Sequence, residues 1–234
     1  SLDGDRTIQD FQRPSKRGSG TYTVVAETIK SFINKPGLRV GIRATVSSAS
    51  VNKLPEIVTY FRSEFGSGIT VAFEPMVPIG RALRATTLQP PDMNTYLSQY
   101  RIARKLGKSI GVHVVCSAPS VSHLIQRYCG AVSIPSFTVC VGNEVTACHR
   151  DQDARDYGYG MIDPLKHQVF LDENKVKMIA KLNDLPPYCM NCFAKYNCAG
   201  DCPDLRRIGL RRCEFNRTVL FEQILDLLSC RGRR

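Results

Sequence analysis

The residues best suited to chemistry lie between Cys189 and Cys213, in CMNCFAKYNCAGDCPDLRRIGLRRC, which holds five of the chain's ten cysteines. Cys189, Cys192, Cys198 and Cys202 follow the spacing C-x2-C-x5-C-x3-C. Pro203 comes directly after the fourth, and Cys213 stands beyond it. A hydrophobic core has no need of thiols at fixed spacing, so this density requires a covalent or metal explanation. No signal peptide is visible, and disulfide frameworks belong to oxidising compartments. Metal ligation is the leading reading, with a reducing, cytoplasmic setting expected.

Two kinds of metal site compete. Structural zinc takes four ligands, often as two C-x2-C pairs separated by a dozen or more residues. Here the second pair follows too soon for a ribbon, although the length suits a zinc knuckle. A knuckle leaves Cys129, Cys148 and Cys213 unused. Iron–sulfur clusters take four thiolates each, and the bacterial ferredoxin run ends in C-x3-C-P, its last cysteine ligating the other cluster. Cys198, Cys202 and Pro203 reproduce that ending. By that analogy Cys202 joins Cys129 and Cys148, while Cys213 completes Cys189, Cys192 and Cys198. Cys140 and Cys230, each alone on an apolar face, read as free buried thiols. Cys116, at a strand end, is intermediate. His123 is a further candidate ligand and His149 packs beside one. His113 and His167 carry no signal.

These residues must be positioned by elements the pattern predicts. The chain has 234 residues, 43% hydrophobic and 23% charged, with no apolar run approaching a membrane span. From Ser1 to Cys116 strands and helices alternate. A polar loop follows a strand end at SLDGD. A helix over 21–34 carries Val24, Val25, Thr28, Ile29 and Phe32 on one face. A strand over 38–46 precedes a helix over 51–65, with Leu54, Ile57, Val58 and Phe61 inward and Pro55 in its first turn. The strand ITVAFEP precedes a helix over 92–106, capped by Asp92 and closed by Gly107, and SIGVHVVCS is the last strand. Alternation of this kind means an α/β fold with parallel strands, ligands lying at their C-terminal ends. Beyond Cys116 the period breaks, and a domain boundary is expected between 1–117 and 118–234. The second part reads as a short helix over 120–128, a β-hairpin around Gly142-Asn143, a short helix ended by Pro186-Pro187, the cysteine cluster, and a helix over 215–228.

At this point the sequence resembles a known family. Cys129 and Cys148, then Cys189, Cys192, Cys198 and Cys202, then Cys213 are similar to the SPASM domain of radical S-adenosylmethionine enzymes. The glycine usual four residues before the second cysteine is replaced by Asn143, which also tolerates a left-handed turn. SLDG, IRATV and PIGRA are similar to the second half of the radical S-adenosylmethionine barrel. The resemblance implies the second half of a partial (β/α)6 TIM-like barrel followed by a small cysteine-rich α+β SPASM domain. It implies two auxiliary 4Fe-4S clusters. The first would be held by Cys129, Cys148 and Cys202, its fourth position open or filled from nearby, as by Cys116. The second would be held by Cys189, Cys192, Cys198 and Cys213. Ser1 and Arg43 would contact S-adenosylmethionine in a complete barrel.

The family's catalytic C-x3-C-x2-C motif is absent from residues 1–234. S-adenosylmethionine and a third 4Fe-4S cluster are therefore expected only with a segment upstream of Ser1. The implied substrates are peptides or proteins, with a reductase as electron donor and no membrane partner. Sulfatase-maturing members carry Asp directly after the second SPASM cysteine. His149 occupies that position, so maturation of a peptide natural product is preferred to formylglycine formation. The net charge of +11 keeps a zinc-dependent nucleic-acid module as an alternative, although a soluble basic surface is the plainer account. A non-catalytic iron–sulfur electron-transfer protein is the other.

Overall fold

The computed structural model describes residues 1–33, 35–79 and 87–231, the last two by backbone only. The chain is mixed α/β and divides into two compact units, Ser1–Ser117 and Ala118–Arg234. Among the described residues no helix is long and apolar enough to cross a membrane.

The first unit runs α1 (Arg6–Gln12), α2 (Tyr22–Ile33), β1 (Gly41–Val46), α3 (Leu54–Phe65), β2 (Thr70–Pro75), α4 (Met93–Ile110) and β3 (His113–Val115). The strands form a parallel sheet in the order β1-β2-β3, with Ile42 beside Val71 and Val71 beside Val114. Each strand alternates. Ile42, Ala44, Val46, Val71, Phe73 and Val114 are buried, as are Leu54, Ile57, Val58 and Phe61 of α3 and Tyr96, Tyr100 and Ala103 of α4. The intervening sheet positions Gly41, Arg43 and His113 are exposed, and Thr45, Thr70, Ala72, Glu74 and Val115 are half-buried. Parallel sheets normally have both faces covered; this one presents a partly open, polar second face.

Several expectations are corrected here. The first polar loop contains α1, because Asp5 caps it by accepting the Ile8 N–H at 2.9 Å. Helix α2 buries Tyr22 and Ala26, whereas Val24 and Phe32, placed inward by periodicity, are exposed. Helix α4 does begin after Asp92 but does not stop at Gly107. It continues to Ile110 and ends on the left-handed Gly111. Gly107 is instead a point of close approach, since a Cβ there would lie 2.7 Å from both the Val112 carbonyl oxygen and Val114 Cγ2. The Gly80, Arg81 and Ala82 of PIGRA lie outside the described residues.

The second unit contains α5 (Gly130–Ser133), β4 (Thr138–Val139), β5 (Glu144–Thr146), β6 (Gly158–Asp163), β7 (Gln168–Leu171), α6 (Glu173–Lys181), α7 (Lys195–Cys198), α8 (Pro203–Arg207) and α9 (Cys213–Arg231). Its strands form an antiparallel sheet in the order β4-β5-β6-β7. The expected hairpin is β4-β5, turning through Asn143 at φ 70. The second hairpin, β6-β7, replaces what periodicity read only as a lead-in to a helix. Ser120 to Tyr128 is loop rather than helix. In α9, Val219 and Leu220 are buried as expected, but Leu227 and Leu228 are exposed. A small core of Val132, Val145, Ala147, Tyr157, Tyr159 and Ile179 joins sheet and helices.

Candidate functional site

Seven cysteines of the second unit occupy the ends of short elements, where few backbone bonds fix them. Cys129 precedes α5 and Cys148 follows β5, and both pack against the same small core. Cys189 ends a 3-10 turn over Pro187–Cys189, and Cys192 lies in the loop after it. Cys198 closes α7, Cys202 precedes α8 and Cys213 opens α9.

Electrostatic neighbourhood sorts these thiols. Burial pushes the Cys189 thiol up, and Cys213 and then Cys192 add to the shift. Burial pushes Cys198 up to about 11, followed by Asp201, with Cys189 contributing less. Cys148 is raised first by burial, then by Asp204 and Cys202, against hydrogen bonds from the Arg150 and Asp151 N–H groups. Cys189 thus lies near Cys213, Cys192 and Cys198, and Cys148 near Cys202. Cys129 shares its core with Cys148. Among the described residues, however, no three His, Cys, Asp or Glu side chains stand close enough to hold a metal ion as they are.

Left-handed backbone is concentrated between two of these cysteines. Ala199 (φ 46), Gly200 (φ 82) and Asp201 (φ 62) are consecutive left-handed residues between Cys198 and Cys202. Such a conformation costs a non-glycine residue roughly 1–2 kcal/mol, and strain of this kind collects at ligand clamps. At Gly200 a Cβ would lie 2.7 Å from Pro186 Cδ. The Cys198 sulfur accepts a hydrogen bond from Asn216 Nδ2 at 3.4 Å, and its carbonyl oxygen accepts the Asp201 N–H at 3.0 Å. Arg150 Nη1 lies 4.0 Å from Cys202 Sγ. At Cys198 burial and the Asp201 charge outweigh the donor, so the thiol is favoured over the thiolate.

Side chains that sequence reasoning passed over hold these cysteines. Arg212 grips both oxygens of Asp201, at 2.6 and 2.9 Å, and donates to the Tyr128 hydroxyl at 3.2 Å. Each of the three immediately precedes a candidate ligand: Cys213, Cys202 and Cys129. Burial raises the Tyr128 phenol to about 12, with the Asp201 charge next in size. Asn183, fully buried, donates to the Cys129 carbonyl at 2.6 Å and to Ser133 Oγ at 2.7 Å, and accepts the Cys129 N–H at 3.3 Å. Asp151 closes the loop after Cys148, accepting N–H groups of Arg155, Asp156 and Tyr157 at 3.1, 3.1 and 2.7 Å. Adjacency gave no usable signal, because a polar residue stands directly before six of the seven cysteines.

Of the other sequence candidates, Ser1, Arg43 and Cys116 belong to the first unit and His123, Cys140 and His149 to the second. Cys116 belongs to the first unit, its thiol hydrogen-bonded to Tyr96 and Tyr100, whose phenols are raised chiefly by burial. Ser1 is exposed, and Arg43 is exposed in mid-strand, its carbonyl accepting the Leu2 N–H at 3.0 Å. Cys140 is buried, its thiol directed at the Asp151 carbonyl at 3.6 Å. His123 and His149 are exposed, the former bonded to Ser122 at 2.9 Å. The Cys230 side chain lies outside the described residues.

Comparison with known proteins finds no matching family model, no matching curated protein and no matching solved structure.

Proposed function

We propose that this chain is the C-terminal portion of a radical S-adenosylmethionine enzyme acting on a peptide or protein, and that its second unit carries two auxiliary 4Fe-4S clusters. The observation that carries this reading is the grouping of the thiols. Cys189 is influenced by Cys213 and Cys192, and Cys198 by Cys189, while Cys148 is influenced by Cys202 and shares a core with Cys129. The seven-cysteine spacing agrees with that grouping. The partly open polar face of the parallel sheet supports a barrel reading, since a barrel strand turns alternate residues to an interior.

In this reading Cys189, Cys192, Cys198 and Cys213 hold one cluster, and Cys129, Cys148 and Cys202 the other. The clusters would supply one-electron transfer or a docking point for substrate. The chain's own residues do the positioning. Arg212 and Asp201 keep the two neighbourhoods in register, Asn183 orients Cys129, and Asn216 faces Cys198. Ser1 and Arg43 are candidates for contact with S-adenosylmethionine. No cleavage of that cofactor is assigned to residues 1–234, which lack C-x3-C-x2-C.

The test is anaerobic reconstitution of the chain with iron and sulfide, followed by metal and sulfide analysis. About eight iron and eight sulfide per chain are expected for two clusters. Stoichiometric zinc with no sulfide overturns the reading and favours the zinc module.

A further inference from the structure

Strand β7 is the edge of the second sheet, and among the described residues no strand lies beyond it. Sheet edges are usually blunted by a charge, a proline or a covering element, because their unpaired backbone groups invite another strand. Gln168, Val169, Phe170 and Leu171 bring neither charge nor proline, and all four are exposed. The register fixes which groups are unpaired. Asp172 donates its N–H to the Tyr159 carbonyl at 2.7 Å, in line with the pairing of Met161 with Phe170 and of Asp163 with Gln168. Hydrogen-bonded pairs alternate along an antiparallel ladder, so Gln168 and Phe170 bond inward to β6. Ile162, opposite Val169, donates instead to the Asn143 carbonyl at 2.8 Å on the other side of β6. The N–H and C=O groups of Val169 and Leu171 therefore point out of the sheet edge.

We propose that β7 pairs antiparallel with β7 of a second copy of this chain, about a two-fold axis at Phe170. The spacing is self-complementary. Val169 of each copy meets Leu171 of the other, and each such pair exchanges both its N–H groups for carbonyls. Phe170 then faces its own counterpart in a non-hydrogen-bonded pair, where side chains approach most closely and aromatic pairs stabilise a sheet. Met161, opposite Phe170 on β6, extends that apolar row, and the two side chains are 51% and 54% exposed in the single chain. Charge is complementary too. Strand β7 enters from Lys166 and His167 and leaves into Asp172 and Glu173, all exposed. Antiparallel pairing sets each basic end beside the acidic end of the other copy, and Lys166 has only a 3.6 Å contact with Asp163 to give up. The net charge of +11 opposes association, but at physiological salt charges more than roughly 8 Å apart are largely screened, whereas the strand ends are adjacent. The pairing needs no bound group.

The test is sedimentation velocity of the full chain over roughly 10 to 300 µM, a range suited to the weak dimers that short contacts form. A concentration-dependent species of twice the chain mass is expected. Val169→Pro removes an outward N–H from each copy without touching the β6-β7 ladder, and an edge strand tolerates proline where the N–H faces outward. It is expected to weaken the dimer about tenfold or more. Phe170→Lys sets like charges directly opposite each other at the axis and is expected to do the same; it decides the matter if Val169→Pro does not fold. Val24→Lys, at an exposed apolar position of α2, should leave association unchanged. A wild type that stays monomeric throughout overturns the proposal and leaves β7 to an extended segment of a different chain. A dimer that either folded β7 variant leaves unchanged, or that Val24→Lys weakens equally, overturns it as well, because the contact then lies elsewhere.

Discussion

Arg212 and Asp201 close on each other as a fork, both guanidinium contacts lying within 2.9 Å and both side chains largely buried. Burial is the largest single influence on Asp201 and pushes its carboxyl up. The hydrogen bond and charge of Arg212, with the Cys202 N–H and Asn216, more than reverse it and hold the group below the usual carboxylate range. The pair links the residue before Cys202 to the residue before Cys213. Removing one partner strands a buried charge, at a cost of about 3–5 kcal/mol. Arg212→Met is expected to lower the urea midpoint accordingly, and Arg212→Met with Asp201→Leu to recover much of the loss. A double variant no better than the single one would show that the pair does not act as a unit.

The ligand grouping makes a second claim. Cys213→Ala and Cys148→Ala should each halve the iron of the reconstituted chain, from about eight to about four, and should remove different spectroscopic signals. If both substitutions abolish the same signal, the division of the seven cysteines is wrong.

Asn183 bonds the backbone of Cys129 on both sides. Asn183→Ala leaves those groups and Ser133 Oγ short of partners, at a cost of about 1–3 kcal/mol for a buried polar group. Iron loss confined to the cluster that depends on Cys148 is the expected readout. Equal loss from both clusters would count against a local role.

Gly107→Ala separates helix propensity from packing. Propensity alone favours alanine by about 1 kcal/mol in a helix interior. The Cβ, however, would sit 2.7 Å from the backbone oxygen of Val112, and such overpacking costs typically 1–3 kcal/mol. A lowered melting temperature is expected, and a raised one would show that β3 can withdraw from α4.

Asp92 supplies a pH dependence. The Thr95 N–H and then the Thr95 hydroxyl lower its carboxyl below the usual value, burial opposing slightly. A depressed carboxylate contributes stability that is present above its unfolded value and lost as pH falls through the folded one. Asp92→Ala should thus lower the melting temperature at pH 7, with the difference shrinking below roughly pH 4. A difference that stays constant down to pH 2 would mean the cap does not act through its charge.

Much of the first unit was readable from local pattern. Leu54, Ile57, Val58 and Phe61 recur at helical spacing, and all are buried; Asp92 caps where a cap was expected. Helix α2 was misread because Val24 and Phe32 are apolar yet exposed, while the inward face is carried by Tyr22 and Ala26. Hydrophobicity names residues that can be buried, not those that are. Strand pairing β6-β7 was missed for a related reason. Every residue of β7 is exposed, so no buried alternation marks it.

For the candidate site, the sequence by itself determined the number, spacing and chemical type of the donors. It also located the turn at Asn143, because asparagine tolerates positive φ, but not the left-handed Ala199 and Asp201. Only the tertiary structure decided which side chains support those donors. Tyr128 and Arg212 stand 84 residues apart, and Cys129 and Asn183 54, so nothing in local spacing pairs them. Such partnerships arise when packing removes water from a guanidinium or an amide, which must then find its hydrogen bonds within the protein. That demand is met by whichever groups the fold brings near.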